Sequence, residues 1–245
     1  MSLGEKVFKR MVHDNKVGTY NESTRQEFIK STLLGLPPGL RLLDAGAGEQ
    51  QFKKYCHHLN YVSQDFAQYD GLGDSAGLQT GTWDNSNLDI ISDITEIPEP
   101  DASFDVILCS EVFEHLPNPV LAIEEFSRLL KAGGQLIITA PFCSLTHFAP
   151  YHFYTGFNRY FYEKHLVDNG FKIITLEHNG NYFEYMAQEV RRIEGIAKQY
   201  AGKSIRFIEY LSMGMVLKLL NRMTKVDRGS KELLHFDFQV IALKQ

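Results

Sequence analysis

The chain has 245 residues, of which 44% are apolar and 22% are charged. This composition is typical of a folded globular protein and excludes an intrinsically disordered chain. A disulfide scaffold is also excluded, because the three cysteines are few, odd in number and not spaced as zinc ligands. The length fits one α/β domain, or a domain with a subdomain.

The charge is distributed unevenly along the chain. The formal net charge is −5, from 25 Lys and Arg against 30 Asp and Glu. Residues 191–231 contain ten basic and three acidic residues, a local balance of +7, so the rest of the chain sums to −12. Negative charge therefore dominates the body of the chain, and positive charge dominates a late segment.

No targeting or membrane-spanning segment is expected. The N-terminus has no apolar run of the kind found in secretory signals. The longest apolar stretch, residues 210–220, is interrupted by polar residues and has about half the length that a transmembrane helix needs. We therefore expect a cytoplasmic protein with reduced thiols.

Short apolar runs that alternate with amphipathic segments predict seven strands. The turn Leu36-Pro37-Pro38-Gly39 precedes the first strand, and the Gly-, Asn- and Ser-rich residues 71–87 predict a long loop before the third. The predicted strands are residues 40–45, 61–65, 88–92, 104–109, 135–140, 171–176 and 235–243.

Helical segments are predicted between these strands. The most regular one starts after Pro119 and is stopped by Gly133 and Gly134. Strands that are separated by helices need crossover connections, which indicates a mostly parallel sheet with helices on both faces. The predicted helices of the core are residues 5–34, 52–56, 120–131 and 160–169.

The first sign of chemistry is the turn after the first predicted strand. Asp44 near the end of this strand is followed by Gly46 and Gly48, and then by a predicted helix. Glycines let backbone N–H groups approach a ligand, and a helix N-terminus favours a negative group. Asp65, about 20 residues further on, has the spacing of a ribose-binding acid. Gln51 replaces the third glycine of the dinucleotide fingerprint, which disfavours NAD and FAD. A tight turn without a ligand is the alternative.

Further motifs follow in order after this turn. Beginning with the turn itself, they are Leu42-Leu43-Asp44-Ala45-Gly46-Ala47-Gly48, Asp65, Ser92-Asp93-Ile94, residues 104–112, Glu114-His115-Leu116, residues 129–134 and Thr139-Ala140-Pro141. With these motifs, residues 40–178 resemble the class I S-adenosylmethionine-dependent methyltransferases. The resemblance is closest to the small-molecule type 11 branch, which includes quinone methyltransferases. It implies a Rossmann-like sheet and fixes the cofactor better than the substrate.

The resemblance also implies how the methionine and ribose of S-adenosylmethionine bind. The turn Gly46-Ala47-Gly48, just after Asp44, would pass under the methionine part, and Asp65 would bind the ribose hydroxyls. Ser110 and Glu111, at the end of the fourth strand, would lie beside the methionine end and face the acceptor. These positions are at the carboxyl ends of parallel strands, where open α/β sheets bind ligands.

The adenine would contact three further residues. Phe66 would pack beside the ring, Asp93 would accept a hydrogen bond from the amino group, and the Ile94 backbone N–H would bind a ring nitrogen. For Asp65 and Asp93 the alternative is a helix or turn cap, and for Phe66 it is simple core packing. Trp83 covers the adenosine or only closes a surface turn.

Methyl transfer from a sulfonium is an in-line displacement that depends mainly on positioning and desolvation. A hydroxyl acceptor would also profit from a general base within hydrogen-bond reach. Glu111 has the best positional argument, followed by His115, while His147 and His152 lie in the loop after the fifth strand. The expected catalytic residues are therefore Glu111, His115 and His152, although each histidine could instead be a packed or helix-capping residue.

The loop after the fifth strand is rich in aromatic residues. Aromatic rings offer large contact areas and, in tyrosine, a polar tip, which suits sugars, quinones and other flat acceptors. We expect Tyr151, His152 and Tyr154 to be exposed, and His147, Tyr151 and Tyr154 to bind the acceptor. No metal site is expected, because Cys56 and the two following histidines are adjacent on a predicted helix and cannot converge on one ion.

The chain is expected to be a single methyltransferase domain over 1–245. Its parts are an N-terminal helical segment at 1–39, a cofactor-binding core at 40–178, a helical insertion at 180–234 and the last strand at 235–245. The insertion has helical spacing and carries the excess of basic residues. It could receive an anionic acceptor, contact a membrane surface or form a homodimer, or it could simply cover one sheet edge.

The leading functional hypothesis is methyl transfer from S-adenosylmethionine to a small-molecule, carbohydrate-linked or lipid-linked acceptor. A non-catalytic cofactor-binding regulator or partner subunit with the same fold is the alternative. An NAD-dependent oxidoreductase is opposed by the missing third glycine. Nucleic acid is not expected as a partner, because the body is acidic and contains no recognised binding motif.

Overall fold

The computed structural model describes residues 15–245, so residues 5–14 of the predicted N-terminal helix lie outside the described residues. Within the described residues, strands and helices alternate as the sequence predicts. The predicted N-terminal helix, however, begins only at Asn21, because residues 15–20 form a turn instead. The strands are β1 (Arg41–Ala45), β2 (Asn60–Asp65), β3 (Ile90–Ile91), β4 (Phe104–Ser110), β5 (Leu130–Pro141), β6 (Phe171–His178) and β7 (Asp237–Lys244).

All seven strands belong to one sheet, in the order β3-β2-β1-β4-β5-β7-β6. β1 is parallel to β2 and β4, β3 is parallel to β2, and β5 is parallel to β4. β7 pairs antiparallel with β5, with Ile137 opposite Ile241. The Rossmann-like, mostly parallel sheet is thus confirmed.

Five α-helices lie in the described residues. They are α1 (Asn21–Leu34), α2 (Pro119–Leu129), α3 (Arg159–Asp168), α4 (Tyr182–Ile196) and α5 (Phe207–Thr224). Pro119 occupies the first turn of α2, where its missing N–H costs nothing. The Asn158 side chain caps α3 by accepting from the N–H groups of Tyr160 and Phe161.

The chain divides into two compact units. The first unit comprises residues 25–177 and 237–245, and the second comprises residues 178–236 with the part of the chain that ends at residue 24. In the first unit, neighbouring side chains of β1 point to opposite faces of the sheet. Leu42 packs with Ile29 and Leu33 of α1, while Leu43 packs with Phe126 of α2. Both faces are therefore covered by helices, as a parallel sheet requires.

One predicted helix of the core is wrong. Residues 52–56 form turns and a short 3₁₀ helix, Lys53–Tyr55, instead of an α-helix. Gln50 has a φ of 57°, in the left-handed region, and so interrupts any right-handed helix that would follow the turn. Phe52 and Cys56 are still buried, which explains their apolar spacing. The α-helix N-terminus expected to favour a negative group of a ligand at this turn is therefore not present.

The boundary between α2 and β5 also differs from the prediction. The helix ends at Leu129, and β5 begins at Leu130 rather than at Gln135. Leu130 pairs with Phe104, and Gln135 then pairs with Val106, so the register shifts between them. Gly133, with a φ of 79°, lies in this irregular segment. The glycine pair that predicts a helix stop therefore forms a bulge within the strand.

The second unit has a small core of its own. Val17, Ala187 and Leu217 are buried against each other, and the Asn181 side chain caps α4 by accepting from the Glu184 N–H. A π-helical turn, Ala197–Ala201, follows α4, and a 3₁₀ helix, Ser230–Glu232, follows α5. The two α-helices α4 and α5 thus occupy the segment that the sequence predicts to be a helical insertion.

Candidate functional site

The glycine turn after β1 is bonded to the end of β2. The N–H groups of Gly46 and Ala47 each donate to the Gln64 carbonyl at 2.8 Å, and the Gly48 N–H donates to Asp65 Oδ2 at 3.0 Å. Gly46 and Gly48 have φ values of 75° and 49°, which other residues rarely adopt. These bonds bring the turn and the predicted ribose-binding acid together.

Asp65 is buried and keeps part of its acceptor capacity. Besides the Gly48 bond, its Oδ1 accepts from the Ala67 N–H at 2.9 Å. An ionised carboxylate can accept about four hydrogen bonds, so roughly two positions remain for the hydroxyls of a ribose. Asp65 thus makes turn-capping contacts and still has the chemistry expected of a ribose-binding acid.

Asp44 is buried beneath the glycine turn. Its Oδ2 accepts a hydrogen bond from the Tyr61 hydroxyl at 2.6 Å. Burial raises the pKa of Asp44 to about 7, Asp65 adds to the increase, and the Tyr61 bond only partly opposes it. A positive group bound nearby would stabilise the ionised form. Asp44 therefore suits a cationic ligand, and its direct contact with a cofactor stays a prediction.

The space beside the two glycines is filled by other side chains. A Cβ atom at Gly46 would lie 2.4 Å from Val112 Cγ2, and one at Gly48 would lie 2.5 Å from Trp83 Cζ2. Trp83 also meets Phe148 edge to face, with ring centroids 5.2 Å apart. Trp83 therefore packs against the glycine turn after β1, and its role is not limited to closing a turn at the surface.

The predicted adenine-binding residues have mixed environments. Phe66 meets Tyr151 edge to face, with centroids 5.0 Å apart, so the end of β2 touches the aromatic loop after β5. Asp93 is exposed, and its Oδ1 accepts from both the N–H and the hydroxyl of Thr95, which is the capping role considered above. The Ile94 side chain belongs to the main core. An adenine contact for these three residues stays a prediction.

Glu111 follows β4 in a strained conformation. Its φ is 56°, unusual for a residue with a side chain, and such strain concentrates at functional sites. Its Oε2 lies 3.2 Å from Arg25 Nη1, which also lies 3.3 Å from Asp237 Oδ2. Glu111 Oε1 is buried and accepts no hydrogen bond from a described residue. Ser110, just before it, shares a 2.9 Å hydrogen bond with the Thr139 hydroxyl.

The predicted His115 and His147 lie together with Glu114, on the 3₁₀ helix Phe113–His115 and on the loop after β5. One ligand atom from each of the three lies within 4.8 Å of the others, so the group could hold a metal ion. Burial, helped by His147 and His152, lowers the pKa of His115 to about 3. His115 is then a neutral imidazole at physiological pH and a weak base, although its lone pair remains available as a ligand.

The remaining predicted acceptor residues line the same loop. His152 Nε2 lies 3.1 Å from Ser144 Oγ, and burial together with His147 lowers the pKa of His152. The Tyr154 side chain is exposed and its hydroxyl donates to the Pro117 carbonyl at 3.2 Å. Tyr151 and His152 are only half-buried, so the prediction that all three are exposed holds for Tyr154 alone.

Two charged residues of this region are missed by sequence reasoning as functional residues. Arg25 is the cation between Glu111 and Asp237, and burial opposes but does not cancel the rise in its pKa that these carboxylates cause. In the sequence, Glu114 is only part of the motif Glu114-His115-Leu116 and is assigned no role of its own. No local pattern signals either role, because the partners of Arg25 are distant in sequence and Glu114 meets His147 only in the folded chain.

Residues 43–138 match the family model described as a methyltransferase domain, of the type 11 family. The chain is 35% identical over 106 residues to the ubiquinone biosynthesis O-methyltransferase of Xylella fastidiosa strain 9a5c, covering 41% of this chain and 42% of that protein. It is 24% identical over 228 residues to the sarcosine/dimethylglycine N-methyltransferase of Halorhodospira halochloris, covering 86% and 81%. The family model and these relatives support a class I S-adenosylmethionine-dependent methyltransferase of the type 11 branch.

A solved structure supports the same fold. The crystal structure of the [4+2]-cyclase SpnF superposes with a TM-score of 0.53 at 18% identity, covering 88% of this chain and 79% of that chain. The chain spans less than half the length of the Xylella relative. The resemblance predicted from the motifs is confirmed.

Among the described residues, no helix combines the length and the apolar character that crossing a bilayer would require.

Proposed function

We propose that the protein transfers a methyl group from S-adenosylmethionine to a small-molecule, carbohydrate-linked or lipid-linked acceptor. The observation that carries this proposal is the junction of the glycine turn with Asp65, through the 3.0 Å bond from the Gly48 N–H. The junction lies within the segment that matches the methyltransferase domain. It combines a tightly packed backbone turn with a carboxylate that can still accept hydrogen bonds from hydroxyl groups.

The residues at the ends of β1, β2 and β4 suit the cofactor in charge and in hydrogen bonding. Asp65 would accept from the ribose hydroxyls, and the carboxylates of Asp44 and Glu111 would favour a cation over a dinucleotide pyrophosphate. S-adenosylmethionine supplies a methyl group already activated by its positive sulfur. The main task left to the protein is therefore to align the acceptor and exclude water.

The loop after β5 would hold the acceptor. The contact between Phe66 and Tyr151 brings this loop to the end of β2. Tyr154, His147 and His152 on the same loop offer ring surfaces and polar atoms of the kind that bind flat or sugar-like molecules. An O-methyltransferase and an N-methyltransferase both appear among the similar proteins, so the accepting atom needs its own experiment.

Glu111 is the best candidate for a general base toward a hydroxyl acceptor. It follows the end of β4, its Oε1 accepts no hydrogen bond from a described residue, and Arg25 holds Oε2. His115, with a pKa of about 3, would take a proton poorly at neutral pH. We expect Glu111→Gln to lower kcat about 10²-fold or more while cofactor affinity changes little. Unchanged turnover in this variant would exclude the role.

The alternative is a cofactor-binding protein that does not transfer methyl groups. The fold alone does not decide between the two, since a [4+2]-cyclase shares it. Calorimetry with S-adenosylmethionine, S-adenosylhomocysteine and NAD tests binding, with Asp65→Ala as the variant expected to lose it. Formation of S-adenosylhomocysteine with a panel of phenols, amines and sugars then tests turnover. Binding without turnover would favour the alternative, and tight NAD binding would contradict both.

A surface role is proposed for the basic segment 191–231. Ile208, Met215 and Leu219 are exposed on one face of α5, and Lys218 and Arg222 lie beside them. An apolar stripe with basic neighbours is typical of helices that lie on anionic membranes. We expect sedimentation with phosphatidylserine vesicles at low salt and release at high salt. A dimer by light scattering without vesicle binding would instead favour a homodimer surface.

A further inference from the structure

Three side chains of the first unit are arranged as metal ligands, although the sequence gives no sign of a metal site. Glu114, His115 and His147 each offer one ligand atom, and these atoms lie within 4.8 Å of one another. Glu114 Oε1 is the common point, because it lies 3.7 Å from His115 Nε2 and 3.8 Å from His147 Nε2.

In each of the two imidazoles, the contact between Nδ1 and a backbone carbonyl fixes the tautomer. His115 Nδ1 lies 2.5 Å from the Tyr151 carbonyl, and His147 Nδ1 lies 2.8 Å from the Leu145 carbonyl. A carbonyl oxygen can only accept, so both Nδ1 atoms carry the proton and, in the neutral rings, the lone pairs are on Nε2. Metal-binding histidines typically have this arrangement, with one nitrogen held by a carbonyl and the other on the ion.

The carboxyl group at the centre of the cluster, that of Glu114, lies in an unfavourable environment. Glu114 is 0% exposed, and neither of its carboxylate oxygens accepts a hydrogen bond from another described residue. Burial and the neighbouring Glu111 raise its pKa well above the ordinary value, and the backbone N–H of Glu114 and the attraction of Arg25 only partly offset this. Leaving a buried carboxylate unpaired is costly, whereas a bound cation would stabilise it directly.

We propose that Glu114, His115 and His147 bind a divalent transition-metal ion of the zinc class. Ligand atoms bound tetrahedrally at about 2.0–2.1 Å lie about 3.4 Å apart, so modest side-chain rotations would bring the observed distances into range. Two imidazoles and one carboxylate favour Zn²⁺, Co²⁺ or Fe²⁺ over Mg²⁺ or Ca²⁺. Three protein ligands leave one position of a tetrahedral ion open for water or an oxygen ligand.

Cobalt titration tests the site directly and needs no enzymatic activity. The full chain, stripped of metal with a chelator, is titrated with CoCl₂ and followed by visible absorption, and ZnCl₂ is then added as competitor. We expect one equivalent of Co²⁺ to give a d–d spectrum of a tetrahedral or five-coordinate ion, which Zn²⁺ abolishes. Mg²⁺ at the same concentration should not displace it.

Variants separate this site from adventitious binding. Glu114→Gln and His147→Ala should each weaken Co²⁺ binding at least tenfold, whereas His57→Ala, which removes an exposed histidine outside the cluster, should leave it unchanged. Circular dichroism checks that each variant is folded, and His147→Gln replaces His147→Ala if the latter is not. Absence of stoichiometric binding in the unchanged protein, or equal binding in folded Glu114→Gln and His147 variants, would overturn the proposal.

Discussion

Replacing Asp44 by asparagine tests whether the fold raises the pKa of this buried carboxyl group. Asn has almost the same shape, and its side-chain oxygen can still accept the hydrogen bond that the Tyr61 hydroxyl now donates to Asp44 at 2.6 Å. The substitution therefore removes the charge and largely retains the packing. Any pH dependence that disappears with it belongs to the ionisation of Asp44.

The magnitude follows from the difference in pKa between the two states. In the native chain, burial raises the pKa of Asp44 from 3.8 to about 7. Between these values the folded state holds a proton that the unfolded state has released, so stability falls as the pH rises from about 4 to about 7 and is level above that. From pH 5 to pH 8 the group alone lowers the free energy of unfolding by about 3 kcal/mol, as an upper value.

Urea unfolding of both proteins at pH 5 and pH 8 provides the measurement. We expect Asp44→Asn to gain stability relative to the parent at pH 8, by about 1–3 kcal/mol more than at pH 5. Asp93→Asn makes the same change in charge at an exposed site and should show no such difference. If the effect of Asp44→Asn were the same at both pH values, the inferred ionisation behaviour would be refuted.

Two further substitutions test the packing around the site. Gly48→Ala would place a Cβ 2.5 Å from Trp83 at a φ of 49°, so we expect a loss of about 1–3 kcal/mol in urea unfolding. Trp83→Ala should recover part of it in the double variant, and strict additivity would contradict the contact. Arg25→Met should cost about 3–5 kcal/mol at pH 7, because it leaves the carboxylates of Glu111 and Asp237 without this cation. An Arg25→Met variant that is as stable as the parent in urea unfolding would count against the ion pairs.

The sheet could be predicted because its strands are short apolar runs bounded by turn residues. The run at 104–109 and the alternation at the C-terminus are examples, and both form strands in the sheet. The helix after Pro119 follows from its start signal and its apolar spacing. The short connection after the glycine turn could not be predicted in the same way. The backbone at Gln50, rather than the spacing of apolar side chains, prevents the helix.

Only those parts of the candidate site that belong to a local sequence motif could be predicted. The glycine turn and Asp65 are joined by a bond between residues that the motif already relates. The environment of Glu111 depends on Arg25, which reaches it from a helix near the start of the described chain. The meeting of His115 with His147 depends on how the loop after β5 folds back. Such contacts follow from tertiary structure and leave no periodic signal in the sequence.

The Phe236 N–H donates to the Asn179 carbonyl at 2.9 Å, so a hydrogen bond joins the two ends of the segment between β6 and β7. A segment whose ends already meet can change in length or sequence at little cost in chain entropy. The register of the flanking strands then need not change. Residues 180–235 can therefore change in length or sequence without a change in the spacing between the ends of β6 and β7.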